Sequence, residues 1–339
     1  MQRALRPLLA SLLMITVPSV ARGDRPAPTK HSILVVIGAA GEAEYGELFQ
    51  DWADQWRRIA KLAQADISVL GESADGSNDR ELVAAALRQQ ADAPCDIFWL
   101  VLLGHGTFDG HAAKFNLRGA DFTAEELGGW LDPISSRMVL INCASSSAPF
   151  INALSGEDRI VITAAKSGYE LNFARFGQYL VDAFADSSAD LDKDDQVSLL
   201  EAYLTACGRV AEFYDGEARL ATEHALIDDN GDGLGTPANW FRGLRATQQA
   251  KEGAELDGAR AHQVHLIASD RESRMSAAAR QRRDALELEL AALRDRKADL
   301  EEQTYFRELE SILVQLARIY QDVQDGESTA GSGTEKVAQ

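Results

Sequence analysis

The chain has 339 residues, 45% of them hydrophobic, enough for one large domain with an appendage or for two modest domains. Its formal charge of −19 excludes the basic surface that nucleic acids and anionic membranes select. Three cysteines are too few for a disulfide scaffold; an odd count leaves at least one thiol outside any intramolecular bond, and Cys95 and Cys207 form the pair left open.

The first residues read as an export signal, residues 1–21. Arg3 and Arg6 give a basic start, Leu8 to Val17 an apolar core, and Ser19-Val20-Ala21 a small-x-small cleavage site. Its removal takes two arginines and no acids, so −19 becomes −21. The apolar run is short for a membrane span and no later segment approaches one. The expectation is an exported protein, periplasmic or secreted, with no stable membrane insertion and no nucleic-acid partner.

Ser32 to Ile37 is a continuous apolar run ended by Gly38, as in a strand buried on both faces. Phe49, Trp52, Trp56, Ile59 and Ala63 then recur at helical spacing. Asp66 to Leu70 reads as a second strand, and Asn78 with Glu81 as a capping box for the next helix. Ile97 to Leu103 is the strongest strand signal. Thr123 with Glu126 caps a further helix, and Met138 to Ile141 and Arg159 to Ala164 complete five strands. Strands alternating with helices predict an α/β fold with a mainly parallel sheet and helices on both faces.

From about Arg245 the texture changes. Leu286, Leu290, Leu293 and Leu300 follow heptad spacing; Phe306, Leu309, Leu313, Leu316, Tyr320 and Val323 repeat it after a break in phase. Residues 245–325 are therefore expected to form one or two long amphipathic helices with a bend, able to self-associate through residues 286–323. Residues 326–339 are expected to be a disordered tail.

In open α/β sheets the chemistry sits beyond the carboxyl ends of the strands. The third strand runs into Gly104-His105-Gly106 and the fourth into Cys143, followed by Ala144 and three serines. As parallel neighbours these strands would bring His105 and Cys143 to one edge. There an imidazole can take the thiol proton, and the amides of Gly106 and Cys143 can receive an oxyanion.

The segments "LVLLGHG" and "MVLINC", in that order, resemble the caspase-fold cysteine peptidases, and the legumain (asparaginyl endopeptidase) branch in particular; "RIVITAAKSGYELNFARFGQYLVDAF" is similar to its bacterial exported members. The resemblance covers about residues 32–240 and implies a three-layer caspase-like fold within a peptidase domain of residues 32–244. It implies a cysteine endopeptidase acting on protein or peptide substrates through a thioester. Cys143 would be the nucleophile, His105 the general acid/base, and Gly106 an oxyanion donor. Ser167, Glu170 and Asn172 lie where such folds build the primary specificity pocket. The chain departs from the legumain pattern in having Ile141 and Asn142 before the cysteine, and Gly38, Ala39 and Ala40 where a polar group steadies the histidine. The alternative is a non-catalytic caspase-like scaffold of the cell envelope, assembled through its coiled coil.

"DLDKDDQVSLLE", residues 190–201, places oxygen ligands at EF-hand positions: Asp190, Asp192, Asp194, the Gln196 carbonyl, Ser198 and Glu201. Asp195 stands where the turn favours glycine. The expected cofactor is structural calcium, with no organic cofactor. "DDNGDGLGTP" repeats the front half with Asp228, Asn230 and Asp232 but has Asn239 at the twelfth position. It is either an incomplete calcium site or a tight turn.

Overall fold

The computed structural model describes residues 29–73, 78–249, 251 and 255–331, with side chains as far as Gln324. The expected signal peptide lies outside these residues, as do the last eight of the expected tail.

In chain order the first half runs β1 (His31–Ile37), α1 (Ala43–Ala63), β2 (Asp66–Leu70), α2 (Asp79–Asp92) and β3 (Ile97–Leu103). A small antiparallel sheet follows, β4 (Gly106–Phe108), β5 (Ala113–Phe115) and β6 (Phe122–Thr123), then α3 (Ala124–Leu131). The chain continues through β7 (Arg137–Asn142), α4 (Pro149–Leu154), β8 (Arg159–Thr163), α5 (Phe176–Ala183) and α6 (Leu199–Gly216) to β9 (Leu226–Asp228) and β10 (Thr236–Pro237). Helices α7 (Ala259–His262), α8 (Asp270–Arg274), α9 (Ala277–Asp295) and α10 (Glu302–Gly331) form a C-terminal extension.

The main sheet has the order β10-β9-β8-β7-β3-β1-β2. From β2 to β8 every pairing is parallel; β9 and β10 close one edge antiparallel. Strand alternation divides the core in two. Val35, Val101, Val139, Ile141 and Ile162 face α1, α5 and α6, whereas Leu34, Leu100, Leu140 and Val161 face α2, α3 and α4. The result is the expected three-layer α/β architecture with a mainly parallel sheet.

The Thr123–Glu126 capping box is formed, with both reciprocal bonds. The one expected at Asn78 is not: Asn78 precedes α2 but its side chain makes no capping bond, its backbone having left the extended conformation a capping residue needs (φ −110°, ψ 13°).

The heptad pattern is only partly spent within the chain: Phe306 and Leu313 stay exposed, while Tyr305 and Ile312, outside the expected pattern, are buried. Helices α9 and α10 fold back on each other across Arg296–Asp299, just before the phase break expected between Leu300 and Phe306, and Leu286, Leu290 and Leu293 pack on Tyr305, Ile312 and Leu316. Helix α10 continues through Gly326 to Gly331. Once a helix is nucleated and packed, each further residue adds a hydrogen bond, so one glycine does not end it. Arg283, bonded to Glu272 and Asp284, ties α8 and α9 together, and the β-bridge between Ser198 and His265 fixes the extension to α6.

Candidate active site

β3 and β7 are parallel neighbours in register Leu102↔Asn142, so the chain leaves both at one edge with His105 and Cys143 beyond their last paired residues. That much the sequence predicted. The side chains diverge.

Cys143 continues the face of Val139 and Ile141 and points into the core beneath α5. It is 2% exposed. A Cβ placed on Gly177 of α5 would come within 2.9 Å of both Cβ and Sγ of Cys143 and 3.2 Å from the Trp52 ring. Burial drives the thiol far above its ordinary ionisation range, and the nearby Glu223 charge adds to the shift. The Cys143 amide donates to Leu102 O at 3.0 Å, so it is not open to an oxyanion. Glu223 is itself buried, accepting the amides of Arg175 (2.8 Å) and Phe176 (2.9 Å) at the start of α5.

His105 is half-buried, with its ring edge-on to Tyr45 (5.0 Å) and Phe49 (5.4 Å). Its Nε2 lies 3.2 Å from Ala40 O. A carbonyl only accepts, so Nε2 carries the proton; burial lowers the pKa and favours the neutral ring. The main chain thus supplies the polar partner that Gly38, Ala39 and Ala40 lack in their side chains. Among the described residues no hydrogen bond joins His105 to Cys143.

The group that reaches Gly106 is Ser145. Its Oγ accepts the Gly106 amide at 3.3 Å and donates to Gly106 O at 3.2 Å. A Cβ on Gly106 would meet Ser145 O at 2.3 Å, so the close approach expected of a substrate is made by the chain itself. After β7 the turn passes through Ser146 at φ 56°, which carries Ser145, Ser146 and Ser147 into the interior.

The loop after β8 is closed on itself. Ser167 Oγ accepts the Tyr169 amide at 3.1 Å; the Glu170 carboxylate accepts the Lys166 amide at 2.9 Å and pairs with His224 Nδ1. Glu170 is therefore an internal clasp, whereas Asn172 is exposed. Tyr169 and Leu171 project outward, 73% and 64% exposed, with Tyr169 edge-on to Phe108 at 5.3 Å.

The two acidic loops share one geometry. In the first, Asp190 accepts the amides of Lys193 (2.7 Å), Asp194 (3.2 Å) and Asp195 (3.2 Å); in the second, Asp228 accepts those of Gly231 and Gly233, both at 3.0 Å. Asp192 and Asn230 accept from the fifth position, Asp194 and Asp232 from the seventh. Lys193 and Asp195 adopt φ 63° and 72°, as Gly231 and Gly233 adopt 83° and 74°. Carboxylate oxygens of Asp190, Asp192 and Asp194 lie within 4.8 Å of one another, a hard-oxygen set suited to calcium. Ser198 caps α6, its hydroxyl donating to Glu201. The Gln196 side chain bonds Asp194 and the Ser269 amide.

Glu201 accepts the amide of the second position, Leu191, at 2.7 Å, and the hydroxyl of the ninth, Ser198, at 2.8 Å. In the second loop Asp257 does the same: it accepts the amide of Asp229 at 3.0 Å and the hydroxyl of Thr236, again the second and ninth positions. The carboxylate missing from position 239 is supplied by Asp257. No spacing rule reaches that far, and the sequence offered no signal for it.

No family model and no curated protein matches the chain. Among solved structures it is similar to the Drosophila initiator caspase Dronc, at 15% identity over 67% of this chain and 91% of that one, with a TM-score of 0.43. It is similar to caspase-1 from Spodoptera frugiperda at 11% identity, over 61% and 89%, with a TM-score of 0.41. A protein from Geobacter sulfurreducens aligns at 12% identity over 59% and 92%, with a TM-score of 0.38.

Proposed function

We propose that the chain is an exported caspase-like scaffold that binds protein or peptide partners at the β3–β7 edge and does not cut them with Cys143. One observation carries this: the seat of the thiol. A cysteine nucleophile is partly exposed and sits beside a cation, so that the thiolate is accessible and stable. Cys143 is enclosed by Gly177 and Trp52, and the charge nearest to shifting it is the Glu223 carboxylate. The exposed Tyr169 and Leu171 supply an apolar contact for a partner beside that edge.

A cysteine endopeptidase with a His105/Cys143 dyad keeps one support, the glycine-bracketed histidine at the shared edge, and would require α5 to lift off the thiol. A mixed peptide library incubated with the protein and with Cys143→Ala, under reductant and calcium, separates the two. The expected result is no cleavage that depends on Cys143. Cleavage by the parent that the variant loses would restore the peptidase.

Calcium in both acidic loops completes the proposal. Asp190, Asp192, Asp194, the Gln196 carbonyl and Glu201 would hold one ion, with Ser198 at the ninth position. Asp228, Asn230, Asp232 and Asp257 would hold the other. Each ion would offset the clustered carboxylates and brace the elements after β8. Assembly would use the outer stripe of α10, where Phe306, Leu313 and Val314 are exposed, because the rest of the heptad seam is buried within the hairpin.

A further inference from the structure

Beside the loop after β8, α6 and the segments around 221–225 and 237–243 line an open cavity of about 670 Å³. This is the size that takes a small organic ligand. Its wall is apolar: Phe176, Leu204, Cys207, Val210, Trp240 and Phe241 line it. Burial pushes the Cys207 thiol up to about 12, so it stays protonated and behaves as part of the apolar wall.

The charged groups are few and unequal in freedom. Glu223 contributes to the lining, but its oxygens are taken by the amides of Arg175 and Phe176 and the Tyr214 hydroxyl. His224 is fixed by Glu170. Lys166 is exposed, and among the described residues its ammonium has no ion-pair partner. Lys166 therefore offers this apolar cavity a cation for a ligand anion.

We propose that this cavity binds a small amphipathic carboxylic acid. The apolar tail would lie between α6 and Trp240 and the carboxylate would meet Lys166. Burial of the tail supplies most of the affinity, and the ammonium selects the anion. The cavity borders the loop after β8 and shares Glu223 with the surroundings of Cys143, but the proposal stands whether or not the β3–β7 edge has a catalytic role.

The test uses the full chain and the apolar anion anilinonaphthalene sulfonate as a fluorescent probe, displaced by decanoate or by decylammonium. Decanoate is expected to displace the dye about tenfold better than decylammonium, and Lys166→Gln to erase that preference. Gly208→Trp adds an indole to the cavity lining on α6 at a position where a Cβ meets nothing within 4 Å, and circular dichroism checks that the fold is kept. The substitution is expected to abolish displaceable dye binding. Equal displacement by both amphiphiles, a preference for the amine, undiminished binding in Gly208→Trp, or no dye binding at all would each overturn the proposal.

Discussion

Cys143 and Gly177 occupy one space: the helix lies so close to the strand end that only a residue without a Cβ fits over the thiol. The contact joins β7 to α5 and leaves no room for a substrate between them. Gly177→Ala is therefore expected to destabilise the fold by about 1–3 kcal/mol through overpacking. Because the clash is with Cys143, adding Cys143→Ala should recover part of the loss. A double-mutant cycle in urea reads this directly. Additive effects, with a coupling below about 0.5 kcal/mol, would mean that the two residues do not share the space.

A second consequence is a loss of stability at alkaline pH. Burial raises the Cys143 pKa in the folded chain above the value near 9.0 that an unhindered thiol has. The folded state then binds a proton that the unfolded state releases. The contribution is complete below about pH 9 and is lost as pH rises toward the folded value, at up to about 1.4 kcal/mol per pH unit. Urea midpoints measured from about pH 8 to 10.5 should fall more steeply for the parent than for Cys143→Ala. Parallel slopes would place the thiol in contact with water.

The sheet was legible because its central strands are short unbroken apolar runs, rich in β-branched residues, as in strands buried on both faces. Their parallel adjacency followed from the helices between them. The direction of the Cys143 side chain was legible too, in the alternation Val139, Ile141, Cys143, which places the thiol on the α5 face. Reading the strand end by its position in the sheet rather than by its parity missed that the thiol faces α5. The partner of Gly106 was not legible, because it depends on a turn through positive φ at Ser146 that three small residues do not announce. Nor was Asp257, whose role arises only when the chain returns to the second loop.

Calcium gives a third expectation. Chelation should lower the thermal midpoint, since an ion bound only by the folded chain stabilises it by about 2.7 kcal/mol at a hundredfold excess over its dissociation constant. Titration calorimetry should find two ions per chain. Asp192→Asn, which leaves the buried Glu201 cap intact, should weaken one; Asp257→Asn should remove the other. An unchanged second ion in Asp257→Asn would show that this carboxylate only anchors the Asp229 amide and Thr236. No response to chelator would end both sites.

The last expectation concerns assembly. Helix α10 has two apolar stripes. Tyr305, Ile312 and Leu316 face α9, while Phe306 and Leu313 are 53% and 44% exposed. An association that uses the outer stripe should respond to Phe306→Asp with Leu313→Asp, and the helix content should hold because neither side chain is in the buried seam. Leu290→Asp places a charge inside that seam and is expected to cost about 3 kcal/mol or more. Sedimentation velocity across a concentration series distinguishes the cases. Concentration-dependent association lost in the outer-stripe variant supports assembly through α10. A parent that sediments as a monomer throughout would mean that the hairpin exists only to cover the extension's own core, and the outer stripe would have no partner in a second copy.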